Sequence, residues 1–417
     1  MEVMSTFADF LKTWYIAEIR MLMNKSSYFY FRMERDTAAI AGKNATVALQ
    51  RGLIPTGARD EDDSNGLPSP GTVPKETAII PLAFNYARIQ FSGIVEAATK
   101  SEIGAFASVV DNQTQAAQNS LALIQQIQCI KPHEGRLTTV TAAFNGDATG
   151  AVAAVTMTVG TTQWLYPGMR IGTLDDSNTY AAMDTGLIID SILSDTTISV
   201  TGTISTAIDA SAVSTGVGVY VYQNRNKQMY GLDNIFDTSG TDTYLSVSRA
   251  AVAEWIACNI GNSGVSRPLT LNLMQQAVDD PSKKALGKIT AIHCREEMRR
   301  AYVHHLVADR RYNYPDTLKL DGGFSGLAYT GGDKPIPVVV DRHMTPGTMY
   351  FLDETTFKLY RMGGGVRWIP GPVNGIFHPM LTASTSADAM MAGLKIYQNL
   401  ACLNPRKNSM LYDLDEM

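Results

Sequence analysis

The chain has 417 residues, 45% hydrophobic and 18% charged, with a formal net charge of -5. That is enough for two or three domains with sizeable cores, and far from the polar, highly charged make-up of disordered chains. No stretch reaches the roughly 18 uninterrupted apolar residues of a membrane span. The start carries Glu2 and Asp9 where a secretory signal needs positive charge, so a soluble cytoplasmic chain is expected.

Phe7, Phe10, Leu11 and Trp14 follow Ser5 and Thr6 at helical spacing and predict a short amphipathic helix. The aromatic run Tyr28, Phe29, Tyr30, Phe31 and the stretch TAAIAGKNATVALQRG fit neither the helix nor the strand period. We read an extended arm seeking a partner surface; a segment folded back on its own core fits the residues as well. From residue 53 to 74 the proline- and glycine-rich LIPTGARDEDDSNGLPSPGTVP has loop chemistry. Strand-like NATVALQR, AIIPLAF and ARIQFSG flank it, which predicts a two-stranded excursion with an acidic tip at Arg59, Asp60, Glu61, Asp62 and Asp63.

Residues 99–130 place Ile103, Phe106, Val110, Ala117, Leu121 and Ile124 at steps of three, four and seven, with Gln-rich faces between and Pro132 beyond. This predicts one helix of about 45 Å. Between residues 137 and 222 the composition shifts to Thr, Ala, Val and Gly. AVTMTVG, GLIIDSIL, TISVTG and VGVYVY, separated by Gly, Asp, Ser and Asn turns, predict a small all-β insertion with seven aspartates and Arg170 as its one basic residue. LTLNLMQQAVDD then reads as helix, KITAIHC as strand, REEMRRAYVHHLV as helix, and PIPVVVDR with TMYFLDETTFKLYR as strands joined by HMTPG. DAMMAGLKIYQNLACL reads as helix or strand.

The sequence offers little for catalysis. Asp184-Thr185-Gly186 spells the aspartic-protease tripeptide, but Asp237-Thr238-Ser239-Gly240 supplies no second copy with which to share a proton; turn aspartates are the simpler reading. His133, His293, His304, His305, His343 and His378 show no H-E-x-x-H spacing. Cys129, Cys258, Cys294 and Cys402 form no C-x-x-C pair, which argues against a zinc site or a disulfide framework. Gly42-Lys43 lacks the first glycine of a phosphate loop, Gly363 to Gly365 opens no periodic helix, and no G-x-S-x-G elbow stands out. No cofactor, metal or catalytic residue is expected.

The order of these parts, with the phrases FNYARIQFSG, PIPVVVDRHMTPGTMYFLDETTFKLYR and QNLACLNPRKN, resembles the major capsid proteins of tailed bacteriophages, the family with the Hong Kong 97-like fold. The resemblance implies an α+β chain with an N-terminal arm (1–50), an extended two-stranded loop (51–84) and a peripheral domain with a spine helix (85–136). An inserted β domain (137–224), an axial domain (225–350) and a return to the periphery (351–417) would follow. It implies a non-enzymatic coat protein assembled in the host bacterial cytoplasm as pentamers and hexamers of an icosahedral head. Its partners would be its own copies, portal and decoration proteins, and double-stranded DNA held by weak non-specific contact, with no membrane. Arm-like sequence begins within a few residues of Met1, which leaves either a separate scaffolding protein or a chain already shortened; the initiating Met favours the former. The acidic tip is the candidate for ionic contact with a neighbouring copy, against arginines such as Arg88 or Arg367; a solvated loop with no fixed partner fits equally. Two rivals stay open, an encapsulin-type compartment shell and a phage tail or adhesin protein that binds through the β insertion.

Overall fold

The computed structural model describes residues 28–37, 40–52, 54, 71–92, 103–142, 150–174, 186–204, 216–310, 327–331, 334–363, 365–372, 376–382 and 385–415. Its first elements turn inward. A short helix α1 (Tyr28–Arg32) and strand β1 (Glu34–Asp36) bury Phe29, Tyr30 and Met33 in the central core. Phe29 meets Phe357 edge-on at 5.9 Å. Aromatic rings bury too much area to stay in water when such a surface is close, so this part of the expected arm packs on its own subunit. The helix expected over residues 7–14 lies outside the described residues.

Strands β2 (Ile40–Ala41), β3 (Asn44–Gln50) and β4 (Lys75–Pro81) form an antiparallel ribbon, with β3 and β4 paired along their full length. Ala45, Ala78 and Ile80 anchor it to the central core. After Leu82 the chain enters β5 (Ala83–Ser92) and then helix α2 (Ile103–Gln128), whose 26 residues span about 39 Å. Ala117 and Leu121 of α2 pack on Ile89 and Phe91 of β5. The polar faces expected from the glutamines do not persist to its end, where Gln125, Gln126 and Gln128 are buried. Tyr30 donates to Gln125 at 2.7 Å, and Gln128 and Asn85 exchange amide hydrogen bonds at 3.0 Å each. The helix stops where Leu232 and Asp233 donate backbone N–H groups to the carbonyls of Cys129 and Ile130. That approach requires Gly231, since a Cβ there would collide with the Lys131 carbonyl.

Six strands follow: β6 (Arg136–Thr139), β7 (Gly150–Thr158), β8 (Arg170–Leu174), β9 (Leu187–Ile192), β10 (Thr197–Ile204) and β11 (Gly218–Val221). They pair antiparallel in the order β6-β11-β8-β9-β10-β7. A bridge between Val140 and Val159, flanked by the bond from Gly160 N–H to the Thr139 carbonyl at 2.9 Å, closes the sheet into a barrel. The two end strands meet there, beside Val140 and Val159. Leu137, Met157, Ile171, Leu187, Ile198, Val200 and Val219 belong to the core it encloses.

The next segment holds helix α3 (Leu232–Ile235), the hairpin β12 (Thr243–Tyr244) and β13 (Val247–Ser248), strand β14 (Cys258–Ile260) and helix α4 (Leu271–Ala285). It continues through β15 (Ala291–Cys294), α5 (Glu296–Arg310), β16 (Ala328–Tyr329), β17 (Ile336–Val340) and β18 (Met349–Leu352). The Thr270 side chain caps α4 by accepting from Leu273 N–H. Pro281 inside α4 can donate no bond to the Ala277 carbonyl four residues back; the Ser409 hydroxyl donates to it instead.

The chain then builds a second mixed sheet from β19 (Phe357–Arg361), β20 (Arg367–Trp368), β21 (His378–Thr382) and the 18-residue β22 (Thr385–Cys402). It ends in β23 (Ser409–Leu411), inserted between β14 and β18. The segment DAMMAGLKIYQNLACL, readable either way from sequence, is therefore strand. β22 pairs with β5 on one edge and with β19, β20 and β21 on the other.

Candidate subunit-contact surface

The sheet formed by β5, β22 and β20 has two unlike faces. Leu394 and Ile396 of β22 join Ile89 and Phe91 against α2. The opposite face carries Phe84 and Tyr86, 45% and 54% exposed. Register places Tyr86 beside Lys395 and Lys395 beside Arg367, while Phe84 lies beside Tyr397 and Arg88 beside Gly393. The Tyr397 ring is the centre of this face: Phe84 meets it edge-on at 4.9 Å and Tyr86 at 6.0 Å. Lys395 and Arg367 stand 5.7 and 5.9 Å from its centroid, within cation–π range. A hydrogen bond with the Tyr397 hydroxyl raises the Tyr86 hydroxyl above its usual pKa, with burial adding to the shift. Arg88 donates to the Met391 sulfur.

None of Arg88, Arg367 or Lys395 enters an ion pair among the described residues. The structure thus brings two expected site residues, Arg88 and Arg367, onto one cationic, aromatic face. Arg59, Asp60, Glu61, Asp62 and Asp63 lie outside the described residues. Sequence reading missed Phe84, Tyr86, Lys395 and Tyr397. The alternation Phe84, Tyr86, Arg88 was the available signal for three side chains on one face.

A second polar cluster fastens α1. Arg32 grips Glu354 with two bonds of 2.6 and 2.7 Å, and His293 Nε2 lies 3.1 Å from the same carboxylate. Burial opposes ionisation of Glu354, yet the bonds from His293 and Arg32 outweigh it and bring its pKa down to about 2. A third cluster seats the barrel: Trp164 Nε1–H donates to the His343 carbonyl at 3.0 Å, and Gln163 donates to the Arg342 and Met344 carbonyls at 2.7 Å each. The Lys131 ammonium sits 3.3 Å from the Trp164 ring centroid and 4.0 Å from Asp233. Burial lowers its pKa to about 8 despite the attraction of Asp233.

The remaining candidates for chemistry are dispersed. His133 stacks on Tyr230 and His305 bonds the Leu269 carbonyl. No group of three potential metal ligands occurs among the described residues. All four cysteines are free and buried, and burial lifts the Cys294 thiol to about 12. Asp184 and Thr185 lie outside the described residues; Gly186 sits at a positive φ beside Tyr222. Gly42 belongs to the turn between β2 and β3, with no helix after it. A cleft lined by Asp233, Asp237, Thr345 and Asp413 has carboxylates already in use. Asp233 accepts from Thr345 and Tyr350, and Asp413 from the N–H groups of Asn262 and Gly264.

The sequence matches no family model and no curated protein. Among solved structures it is similar to the capsid asymmetric unit of cyanophage A-1(L), with 12% identity, a TM-score of 0.52, and coverage of 92% of this chain and 90% of that one. The chain has the fold of a phage capsid protein. Looser likenesses include the capsid of a native GTA particle, at 11% identity and TM-score 0.48 over 99% and 98% of the two chains. An encapsulin from Synechococcus elongatus aligns at 8% identity and TM-score 0.45 over 100% and 96%. Within this capsid fold, the Glu354 and Lys131 clusters hold segments of one subunit together, while Phe84 and Tyr86 on the Tyr397 face stay exposed.

Proposed function

We propose that the chain is the major capsid protein of a tailed bacteriophage, assembling as pentamers and hexamers into an icosahedral head around double-stranded DNA, with no catalytic role. The observation that carries this reading is the likeness to a cyanophage capsid subunit over about nine-tenths of both chains. A shell built from one kind of subunit needs firm cores joined by repeated, adaptable contacts. Among the described residues, four separate clusters of buried apolar side chains supply the cores. A net charge of -5 suits a lining that lets packaged DNA move. A separate scaffolding protein, a portal and decoration proteins would be its partners in the bacterial cytoplasm. Electron microscopy of the purified product, expressed with and without the neighbouring phage genes, should find closed isometric particles, and particles from infected cells should hold nuclease-protected DNA. Protein cargo in place of DNA would mark an encapsulin-type compartment, and no closed particle under either condition would refute the shell reading.

In the same reading, the acidic tip at residues 59–63 of one copy meets Arg88, Lys395 and Arg367 on the sheet of a neighbour. Exposed ion pairs contribute only about 0–1 kcal/mol each, but a shell repeats every contact many times. Reversing Asp62 and Asp63 to Lys should cut particle yield and leave the subunit's melting temperature unchanged. Adding Arg88→Glu and Arg367→Glu should recover part of the yield; an unaltered yield in the first variant would sink the contact.

A further inference from the structure

We infer that the free edge of β5 pairs with β5 of a second copy, so that one sheet continues from subunit to subunit. β5 is ten residues long and, among the described residues, pairs only with β22, in a register of ten consecutive partners without a bulge. On its other side, alternate backbone N–H and C=O groups meet no strand among the described residues. Proteins guard such edges with proline, lysine, bulges or brevity. AFNYARIQFS has neither proline nor lysine, and Arg88 is its single charge. An unguarded edge of this length either starts aggregation or receives a strand by main-chain hydrogen bonding.

The remaining strands narrow the choice of partner. Among the described residues, β5 has the longest unpaired edge that lacks both proline and lysine. Edge strands β1, β14 and β16 have three residues or fewer. In an assembly of identical chains a two-fold axis sets a strand against its own copy, so the matching strand is β5 itself. This step rests on the shell reading only in taking the partner to be another copy.

Side-chain chemistry selects the register. A two-fold axis through Arg88 would set two guanidinium groups directly opposite one another, which is unfavourable. An axis through Ala87 pairs residues 83–91 of both copies and sets each Arg88 opposite Tyr86 of the other, a cation–π pair made twice. It also sets Phe84 opposite Gln90. The axis stands perpendicular to the sheet, so both α2 helices stay on the face that already carries Ile89 and Phe91.

The test is a disulfide across the edge. Assembled particles of the Phe84→Cys/Gln90→Cys double variant, mildly oxidised, should run as dimers in non-reducing electrophoresis. Phe84→Cys/Tyr86→Cys, which belongs to a different register, should run as monomer. The native cysteines are buried and give little background. Hydrogen exchange on the unsubstituted protein is the second readout: alternate amides of residues 83–91 should be protected in particles and exchange after dissociation. Particles with neither cross-link nor added protection overturn the edge pairing and leave the shell reading intact. Cross-linked dimers that never close into particles support the pairing and overturn the shell.

Discussion

Glu354 shows how single residues fasten this chain. Its carboxylate is mostly enclosed, yet it stays ionised because Arg32 and His293 both donate to it. A carboxyl whose folded pKa of about 2 lies below the unfolded value of about 4.3 adds stability above the unfolded value. That contribution fades as pH falls through the window between the two. Melting temperature measured from pH 6 to pH 2.5 should therefore drop less steeply in Glu354→Gln than in the native chain; parallel curves would refute the assignment. Arg32→Ala should cost about 1–2 kcal/mol at neutral pH, below the full range for a charge-assisted bond because Arg32 is 40% exposed. Neither partner was legible in sequence: Arg32 and Glu354 lie far apart along the chain, and nothing local marks them as a pair.

Elements followed local pattern where one face was apolar and the other polar. The three-and-four spacing of residues 99–130 gave α2, which the structure bounds at Ile103 and Gln128. β22 was ambiguous because Ala392, Leu394 and Ile396 are buried on one face while Asn399 and Ala401 are buried on the other, and a strand covered on both sides loses its alternation. The hairpin of β12 and β13 was missed for another reason. Its turn places Leu245 and Ser246 at φ of 51° and 66°, a conformation that Asn and Gly signal and these residues do not. Leu245 is held there because it is buried and its carbonyl accepts from Ile79 N–H. Ser246 is exposed, so Ser246→Gly should relieve strain and raise stability by about 0.5–1 kcal/mol in urea unfolding. A lower midpoint would show that the serine contributes something its geometry does not reveal.

At the scale of the molecule, the barrel leaves and rejoins the body at adjacent points, since Arg136 and Tyr220 are register partners. Replacing residues 137–219 by a short linker should therefore leave a chain that still unfolds cooperatively, at a lower temperature. The loss should be about 3–5 kcal/mol, because Leu123 and Ile127 of α2 would lose their cover. Disappearance of the cooperative transition would instead show that the barrel is needed for the rest to fold.

From sequence alone came the long helix, the acidic β-rich insertion, the two-stranded excursion and the scarcity of catalytic groupings, because period, turn chemistry and composition are properties of neighbouring residues. Tertiary structure decided that the insertion closes into a barrel, that Phe29 and Tyr30 turn inward, and that Arg88, Arg367 and Lys395 gather around Tyr397 on one face. Those outcomes depend on which strand lies beside which. That choice is made by burial and hydrogen bonding summed over distant segments, and no short stretch of sequence carries it.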